Sequence, residues 1–170
     1  MSIELFKTRR STKKYKPDQI TEEELDLILE AGTYAPTGRN MQSPLMVAVT
    51  NPELVRRLAE ENAAVMGAHH DPFYGAPTVI VVFGDSEFST GIEDASLVMG
   101  NLLNAAHAVG VSGRWIHRAR EAFETPFGKA LKAEWGIPER YVGVGNCILG
   151  YAAEVPEPTP RKENYFIKIK

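Results

Sequence analysis

The segment from Ile92 to Val109 constrains the fold most strongly, because a helix built from it is apolar on nearly every side. Alanine, leucine, valine and methionine occupy most of its positions, and Gly110 follows as a residue that ends helices. A helix without a polar face has to be buried, either inside its own domain or against another subunit. The sequence therefore predicts a long, covered helix.

Further helix and strand patterns alternate on both sides of this segment. Ser2 is placed to cap a short helix, and Thr21 with Glu24 forms a capping box that opens a longer one. Helices are predicted at 2–7, 21–34, 52–67, 92–109 and 126–135, strands at 45–50, 79–83 and 141–151, and a loop followed by a strand within 111–117. Strands interleaved with helices predict an α+β (α/β-like) domain around one sheet.

The last part of the chain differs from the rest. Prolines at 156, 158 and 160 make it stiff and extended, and residues 165–170 alternate between apolar and polar side chains like a strand. An extended arm with apolar side chains needs a surface to lie on; a disordered tail is the alternative, which these side chains oppose. We predict a domain over 1–152 and an arm over 153–170 that packs on a partner subunit.

Length and charge limit the functions open to the chain. Its 170 residues suit one domain, and its formal net charge of −3 argues against a general nucleic-acid binder. The charge is unevenly spread: residues 1–16 carry six basic side chains and one acidic one, residues 161–170 carry four and one, and the body between them carries nine and twenty. The basic ends are either solvated tails or two parts of one site for an anion.

The single cysteine, Cys147, excludes a disulfide within the chain and a multi-cysteine metal site. It lies in an apolar run, so we expect a buried, inert thiol. No metal site is expected at His69 and His70 either, because no further ligand pattern accompanies them. Residues 69–75 are predicted to form a loop near a pocket mouth, and segment 66–75 is a candidate to cover that pocket. The sequence shows neither a signal-peptide pattern nor a membrane-spanning run, so we expect a cytoplasmic protein without a membrane partner.

Two short motifs have the chemistry of a binding site. Residues 9–14 read Arg-Arg-Ser-Thr-Lys-Lys, in which two guanidinium groups, a hydroxyl and an ammonium match the needs of a phosphate. Residues 35–44 form a proline- and glycine-containing loop that presents Asn40 and Gln42, whose carboxamides suit a ring edge offering donors and acceptors. Loop residues that satisfy their own backbone are the alternative for the second motif.

With these motifs in this order, the chain resembles the nitroreductase family of FMN-dependent oxidoreductases. The resemblance rests on residues 9–13, 35–44, 93–110, 112–116 and 160–162, so it covers nearly the whole chain. Thr37 stands where the family often has serine, and Ser43 is an extra residue before Pro44. The resemblance implies a mixed, mainly antiparallel sheet flanked by helices, in an intertwined homodimer with exchanged C-terminal arms and FMN sites at the interface.

The resemblance also implies roles for individual residues. Arg9 and Ser11 would contact the FMN phosphate or its ribityl neighbourhood, and Lys13 would stabilise the reduced flavin from the pyrimidine edge of the ring. The loop 36–42 would approach FMN from the other subunit. The expected cofactor-binding residues are Arg9, Arg10, Ser11, Lys13, Pro36, Thr37, Asn40, Gln42, Gly113, Trp115, Ile116, Arg161 and Lys162.

The activity that the resemblance implies is a ping-pong hydride transfer from NAD(P)H through flavin N5 to a small electrophilic acceptor. A nitroaromatic, a quinone or an activated alkene would serve, and no protein general base is expected. Two alternatives stay open: an FMN storage or sensor protein, and a flavoprotein reduced by a protein partner. His107 is expected to be a satisfied core histidine, whereas His117 is a candidate to line the flavin pocket.

Overall fold

The described chain alternates helices and strands in the predicted order. The computed structural model describes residues 3–170, so Ser2, expected to cap the first helix, lies outside the described residues. The helices are α1 (Glu4–Thr8), α2 (Glu22–Thr33), α3 (Pro52–Met66), α4 (Gly91–Ala108), α5 (Ala119–Ala122) and α6 (Pro126–Glu134). The strands are β1 (Leu45–Val49), β2 (Thr78–Asp85), β3 (Ser112–Ile116) and β4 (Tyr141–Gly150).

The four strands form one sheet in the order β1-β2-β4-β3, and neighbouring strands are antiparallel. The predicted α+β class with a mainly antiparallel sheet flanked by helices is confirmed. Beyond β4 the chain meets its own N-terminal segment: the amide of Lys16 donates to the carbonyl oxygen of Tyr151 (2.8 Å), and the amide of Ala153 donates to that of Lys14 (2.9 Å). The basic N-terminal segment is thereby fixed beside the end of β4.

Two apolar cores lie on opposite faces of the sheet. All eight residues of β2 are buried, as expected for a strand covered on both sides. Val81 and Phe83 contribute to the core that α3, α5 and α6 cover, whereas Ile80 and Val82 contribute to the core beneath α2 and α4. This alternation follows from the two-residue period of a strand.

Helix α4 buries one face and leaves another open within the protomer. Its buried row includes Ala95, Val98, Met99, Leu102 and Ala106, all of which pack into the second core. Leu97 lies outside that row and is 48% exposed. The domain itself thus covers only part of a helix that was expected to be covered all round. A surface of this kind fits contact with another subunit.

The C-terminal arm leaves the domain as an extended segment. The structure assigns no helix or strand to residues 153–170, and residues 165–170 are all exposed. Tyr165 is 80% exposed and Ile169 is 90% exposed. The strand-like alternation at 165–170 therefore finds no pairing strand within the described protomer. The division into a domain and an arm that packs on a partner stays a prediction.

Several features differ from the sequence-based expectation. Helix α5 was not predicted, β2 is longer at both ends than 79–83, and Gly38–Asn40 form a 3₁₀ turn inside the predicted loop. The glycine pattern at 143–150 serves close packing: a Cβ at Gly145 would lie 2.5 Å from Nε1 of Trp115. Within residues 3–170, no helix is both long enough and apolar enough to span a membrane.

Candidate functional site

The basic N-terminal motif begins where α1 ends. Arg9 has an extended backbone after α1, and its Nη1 donates to Oγ of Ser11 at 3.3 Å. The next guanidinium has another role, because Nη1 of Arg10 donates to the carbonyl oxygens of Lys7 (2.7 Å) and Arg9 (3.0 Å). Arg10 thus satisfies carbonyl groups around the end of α1, and Arg9 is the more available of the two for a ligand.

Two contacts fix the backbone of this motif. Thr12 is buried, and its hydroxyl donates to the carbonyl oxygen of Glu154 at 2.7 Å. From β3, Nη1 of Arg114 donates to the carbonyl oxygen of Ser11 at 3.3 Å, while its guanidinium lies 5.2 Å from the ring centroid of Tyr74. The arm and the edge strand therefore hold the motif in place.

The electrostatics of the motif favour an anionic ligand. Burial lowers the pKa of Arg9, and the positive charges of Arg10 and Arg161 lower it further. Arg161 comes from the far end of the chain, so the structure brings the two basic termini into one electrostatic neighbourhood. Guanidinium groups that repel one another in this way are stabilised when an anion binds between them.

The ion pairs separate the basic residues of the N-terminal segment into two groups. Lys7 pairs with Glu4, and Lys14 pairs with Glu154. Arg9 and Lys13 have no carboxylate within ion-pair distance among the described residues, and the same holds for Arg161 and Lys162 in the arm. These four residues, which are expected to bind a ligand, thus have no acidic partner within the described chain, a property that they share with Lys16.

The β3 residues expected behind the ring occupy the edge of the sheet. Gly113 and Ile116 are buried, and Ile116 belongs to the core that contains Phe123. The half-buried Trp115 packs over Gly145. The side chain of Ile116 therefore packs in the core, whereas the backbone of β3 is available to contact a ligand. The unpaired backbone groups of an edge strand suit that role.

The second motif, residues 35–44, forms a tight turn beside the first turn of α4. Thr37 is half-buried, whereas Pro36, Asn40 and Gln42 are exposed. The amide of Gln42 donates to Oγ1 of Thr37 at 3.0 Å, and Nε2 of Gln42 donates to Oδ1 of Asn40 at 3.3 Å. The turn thus holds both carboxamides at the surface, close to each other.

A single protomer does not bring the two motifs together. The amide of Gly38 donates to the carboxylate of Asp94 in the first turn of α4 (3.0 Å), and Thr8 is hydrogen-bonded to His107 in its last turn (2.8 Å). His107 lies thirteen positions after Asp94 along the helix, which is roughly 20 Å at a rise of 1.5 Å per residue. A ligand that contacts both motifs at close range would need the turn of a second subunit.

Two of the cavities on the described protomer bear on the site. The smaller one, about 390 Å³, is lined by Arg9, Arg10, Gly113, Lys16 and His107 among others, so it lies beside the basic motif. The larger one, about 970 Å³, lies between α3 and the 68–77 segment and contains none of the expected cofactor-binding residues. Asp71 orders that segment by accepting the amides of Phe73 and Gly75, both at 2.7 Å.

Sequence reasoning missed Asp94 and Arg114. Asp94 is 4% exposed and belongs to the buried row of α4. A carboxylate on an otherwise apolar helix face was the sequence feature that could have identified it. Arg114 lies within the 112–116 segment, but no role was assigned to its side chain, and only the fold shows that it reaches the carbonyl oxygen of Ser11.

Other expectations concern single side chains. Cys147 is buried, as expected, and burial raises the pKa of its thiol to about 12. His107 is half-buried and bonded to Thr8, in agreement with a satisfied histidine. The hydroxyl of Tyr15 is buried without a hydrogen-bond partner among the described residues, and burial raises its pKa. His117 is exposed beyond the end of β3.

Known proteins share the fold and part of the sequence of this chain. Residues 6–67 match the model of the Nitroreductase family. A provisionally named NADH dehydrogenase/NAD(P)H nitroreductase of Archaeoglobus fulgidus is 30% identical over 156 residues, which cover 88% of this chain and 84% of the relative. A nitroreductase from Bacteroides fragilis, crystallised with bound FMN, is 24% identical and matches with a TM-score of 0.90 over 99% of this chain and 98% of its own. An FMN-dependent nitroreductase from Clostridium difficile is 25% identical, with a TM-score of 0.82 over 99% and 98% of the two chains.

The chain belongs to the nitroreductase family and is an oxidoreductase enzyme. The resemblance drawn from the motifs is therefore confirmed, and the sheet and helices of the described protomer match the solved structures. The roles of the individual site residues stay predictions.

Proposed function

We propose that the chain binds FMN and transfers hydride equivalents from NAD(P)H to a small electrophilic acceptor, such as a nitroaromatic, a quinone or an activated alkene. The observation that carries the proposal is the cavity of about 390 Å³ that Arg9 lines without a carboxylate within ion-pair distance among the described residues. The positive charge of Arg161, from the opposite end of the sequence, lowers the pKa of Arg9 and so acts at the same place. Unpaired guanidinium groups fit a phosphate ester, which accepts charge-assisted hydrogen bonds from both. The relatives named for nitroreductase activity and FMN support the same cofactor.

Each group of residues has a distinct part in this proposal. Arg9, Arg161 and the hydroxyl of Ser11 hold the phosphate, with Lys162 and Arg10 at the periphery. Lys13 is exposed, and its ammonium makes no hydrogen bond with the described residues, so it is free to approach the pyrimidine edge of the ring. When bound, FMN supplies a ring that accepts hydride at N5 and passes two electrons to a second substrate. A fixed positive charge beside the ring favours the reduced form.

The site is shared between two subunits in this proposal. The 36–42 turn lies roughly 20 Å from the basic motif along α4, so its contacts with the same cofactor require a second copy of the chain. Exposed apolar side chains on the domain and the arm supply a surface for that copy. Those that are at least 46% exposed include Leu27, Tyr34, Leu97, Tyr165, Phe166, Ile167 and Ile169. We propose a homodimer whose arms pack on the opposite subunits.

Steady-state turnover tests the function. The purified chain is loaded with FMN and given NADH or NADPH with a quinone or a nitroaromatic compound, under anaerobic conditions. The proposal predicts reductant oxidation that requires both FMN and the acceptor. A chain that binds FMN but oxidises neither reductant would instead match a storage or sensor protein, or one that takes electrons from a protein partner. Failure to bind FMN would contradict the proposed function and each of these alternatives.

A further inference from the structure

A buried carboxylate secures the 36–42 turn from beneath. Asp94 is 4% exposed and has no cation within ion-pair distance among the described residues. One carboxylate oxygen accepts the amide of Gly38 at 3.0 Å, and the other accepts the hydroxyl of Thr90 at 3.0 Å. A buried charge is costly unless its hydrogen bonds are made, so this contact ties the turn to the first turn of α4.

The turn that Asp94 holds has an uncommon backbone. Arg39, Asn40 and Gln42 have φ values of 52°, 54° and 50°, in the left-handed region that residues other than glycine seldom adopt. Such conformations persist only where surrounding contacts enforce them, and they concentrate at ligand-binding sites. In this turn the enforcing contacts are the bond from Gly38 to Asp94 and the two bonds from residues 40 and 42 to Thr37.

Close packing at Gly38 strengthens the attachment. A Cβ atom at this position would overlap the hydroxyl of Thr90, which is itself bonded to Asp94. Gly38, Thr90 and Asp94 therefore form one contact unit, here called the turn anchor. A side chain at residue 38 would break the anchor without touching the carboxylate.

We propose that Asp94 is a positioning residue: through the turn anchor it sets Asn40 and Gln42 against the flavin ring bound by the partner subunit. This inference rests on the proposed function. It distinguishes Asp94 from the phosphate-binding arginines, because the carboxamides address the ring, which FMN and riboflavin share. Loss of the anchor therefore weakens both flavins by the same factor.

The first experiment compares flavin affinities in Asp94→Asn and Gly38→Ala. Asparagine keeps the shape of Asp94 but has only one acceptor oxygen for the two donors, and alanine at residue 38 breaks the anchor independently. We expect both variants to bind FMN and riboflavin about tenfold more weakly, which is the effect on affinity of losing about one hydrogen bond to a charged group. Glu134→Gln, which removes an exposed helix carboxylate elsewhere, is the control and should bind both flavins normally.

The outcomes separate this inference from the proposed function. If Asp94→Asn lowers the melting temperature but leaves both affinities unchanged, Asp94 is only structural and the inference is wrong. A loss confined to FMN would also overturn it, because the turn would then act on the phosphate. If the unaltered chain binds neither flavin, the proposed function itself fails, and this inference fails with it.

A second experiment tests whether the turn acts across the interface. Arg9→Ala and Asp94→Asn chains carrying different tags are co-expressed, so that mixed dimers form. Each mixed dimer has one site with an intact Arg9 and an intact turn anchor, and equal mixing makes about one quarter of all sites complete. We expect that fraction to bind FMN with the unaltered affinity. A turn that acted within its own subunit would leave no complete site, and no recovery would then be seen.

Discussion

Replacing Arg9 with alanine removes a half-buried guanidinium that has no carboxylate partner among the described residues. Among residues 3–170 its side chain makes one hydrogen bond, to Ser11 at 3.3 Å, and it is repelled by Arg10 and Arg161. The unfolding free energy of the apoprotein should therefore change by less than about 0.5 kcal/mol. The affinity for FMN should fall much more, because a charged hydrogen bond to phosphate contributes about 1.5–3 kcal/mol. That range corresponds to roughly a 10- to 150-fold rise in Kd.

Calorimetric titration with FMN and with riboflavin, which lacks the phosphate, measures the effect. Arg9→Ala should weaken FMN by this factor and leave riboflavin unchanged, and the FMN affinity of the unaltered chain should fall with salt more steeply than that of riboflavin. Lys14→Ala is the matched control, because Lys14 belongs to the same segment but pairs with Glu154. Equal losses for the two ligands, or a loss as large in Lys14→Ala, would refute the assignment of Arg9 to the phosphate.

Three further predictions concern stability and assembly. Leu102→Ala, at a fully buried position, should cost about 2–5 kcal/mol of unfolding free energy in denaturant titrations. The hydrogen bond from Tyr151 is the main cause that lowers the pKa of Glu24 from 4.5. The stability that this bond contributes is therefore present above pH 4.5 and is lost as the pH falls through the pKa of Glu24 in the folded protein. Tyr151→Phe should reduce this loss of stability in acid, and an unchanged dependence of stability on pH would contradict the assignment. Leu97→Glu should shift the chain from dimer to monomer in light scattering, whereas an unaltered dimer would place the interface elsewhere.

The secondary structure could be predicted wherever local signals are strong. The capping box of Thr21 and Glu24 is present as expected, and α2 begins at Glu22. The apolar period of α4 and the continuous apolar run of β2 predicted the ends of both elements to within two residues of the observed ones. Helix α5 was missed because four residues are too few to show a helical period, and it follows Arg118, whose φ of 78° no sequence motif indicates.

The sheet order and the anchor of the turn depend on contacts between distant residues. Strand β4 lies between β2 and β3 although it follows both in sequence, and local patterns carry no information on such pairing. The site was predictable as a set of motifs because arginine, lysine and carboxamide side chains have recognisable ligand chemistry. Asp94 was not, because its role depends on a loop 56 residues away that folds back onto α4.

Reduction of the bound cofactor tests the central claim most directly. The FMN-loaded chain is mixed anaerobically with one equivalent of NADH or NADPH per subunit, and the visible flavin absorbance is followed before and after a quinone is added. The account predicts that at least one of the two reductants bleaches the absorbance and that the quinone restores it. Tight FMN binding with absorbance that neither reductant changes would contradict the claim that this chain is an NAD(P)H-dependent oxidoreductase.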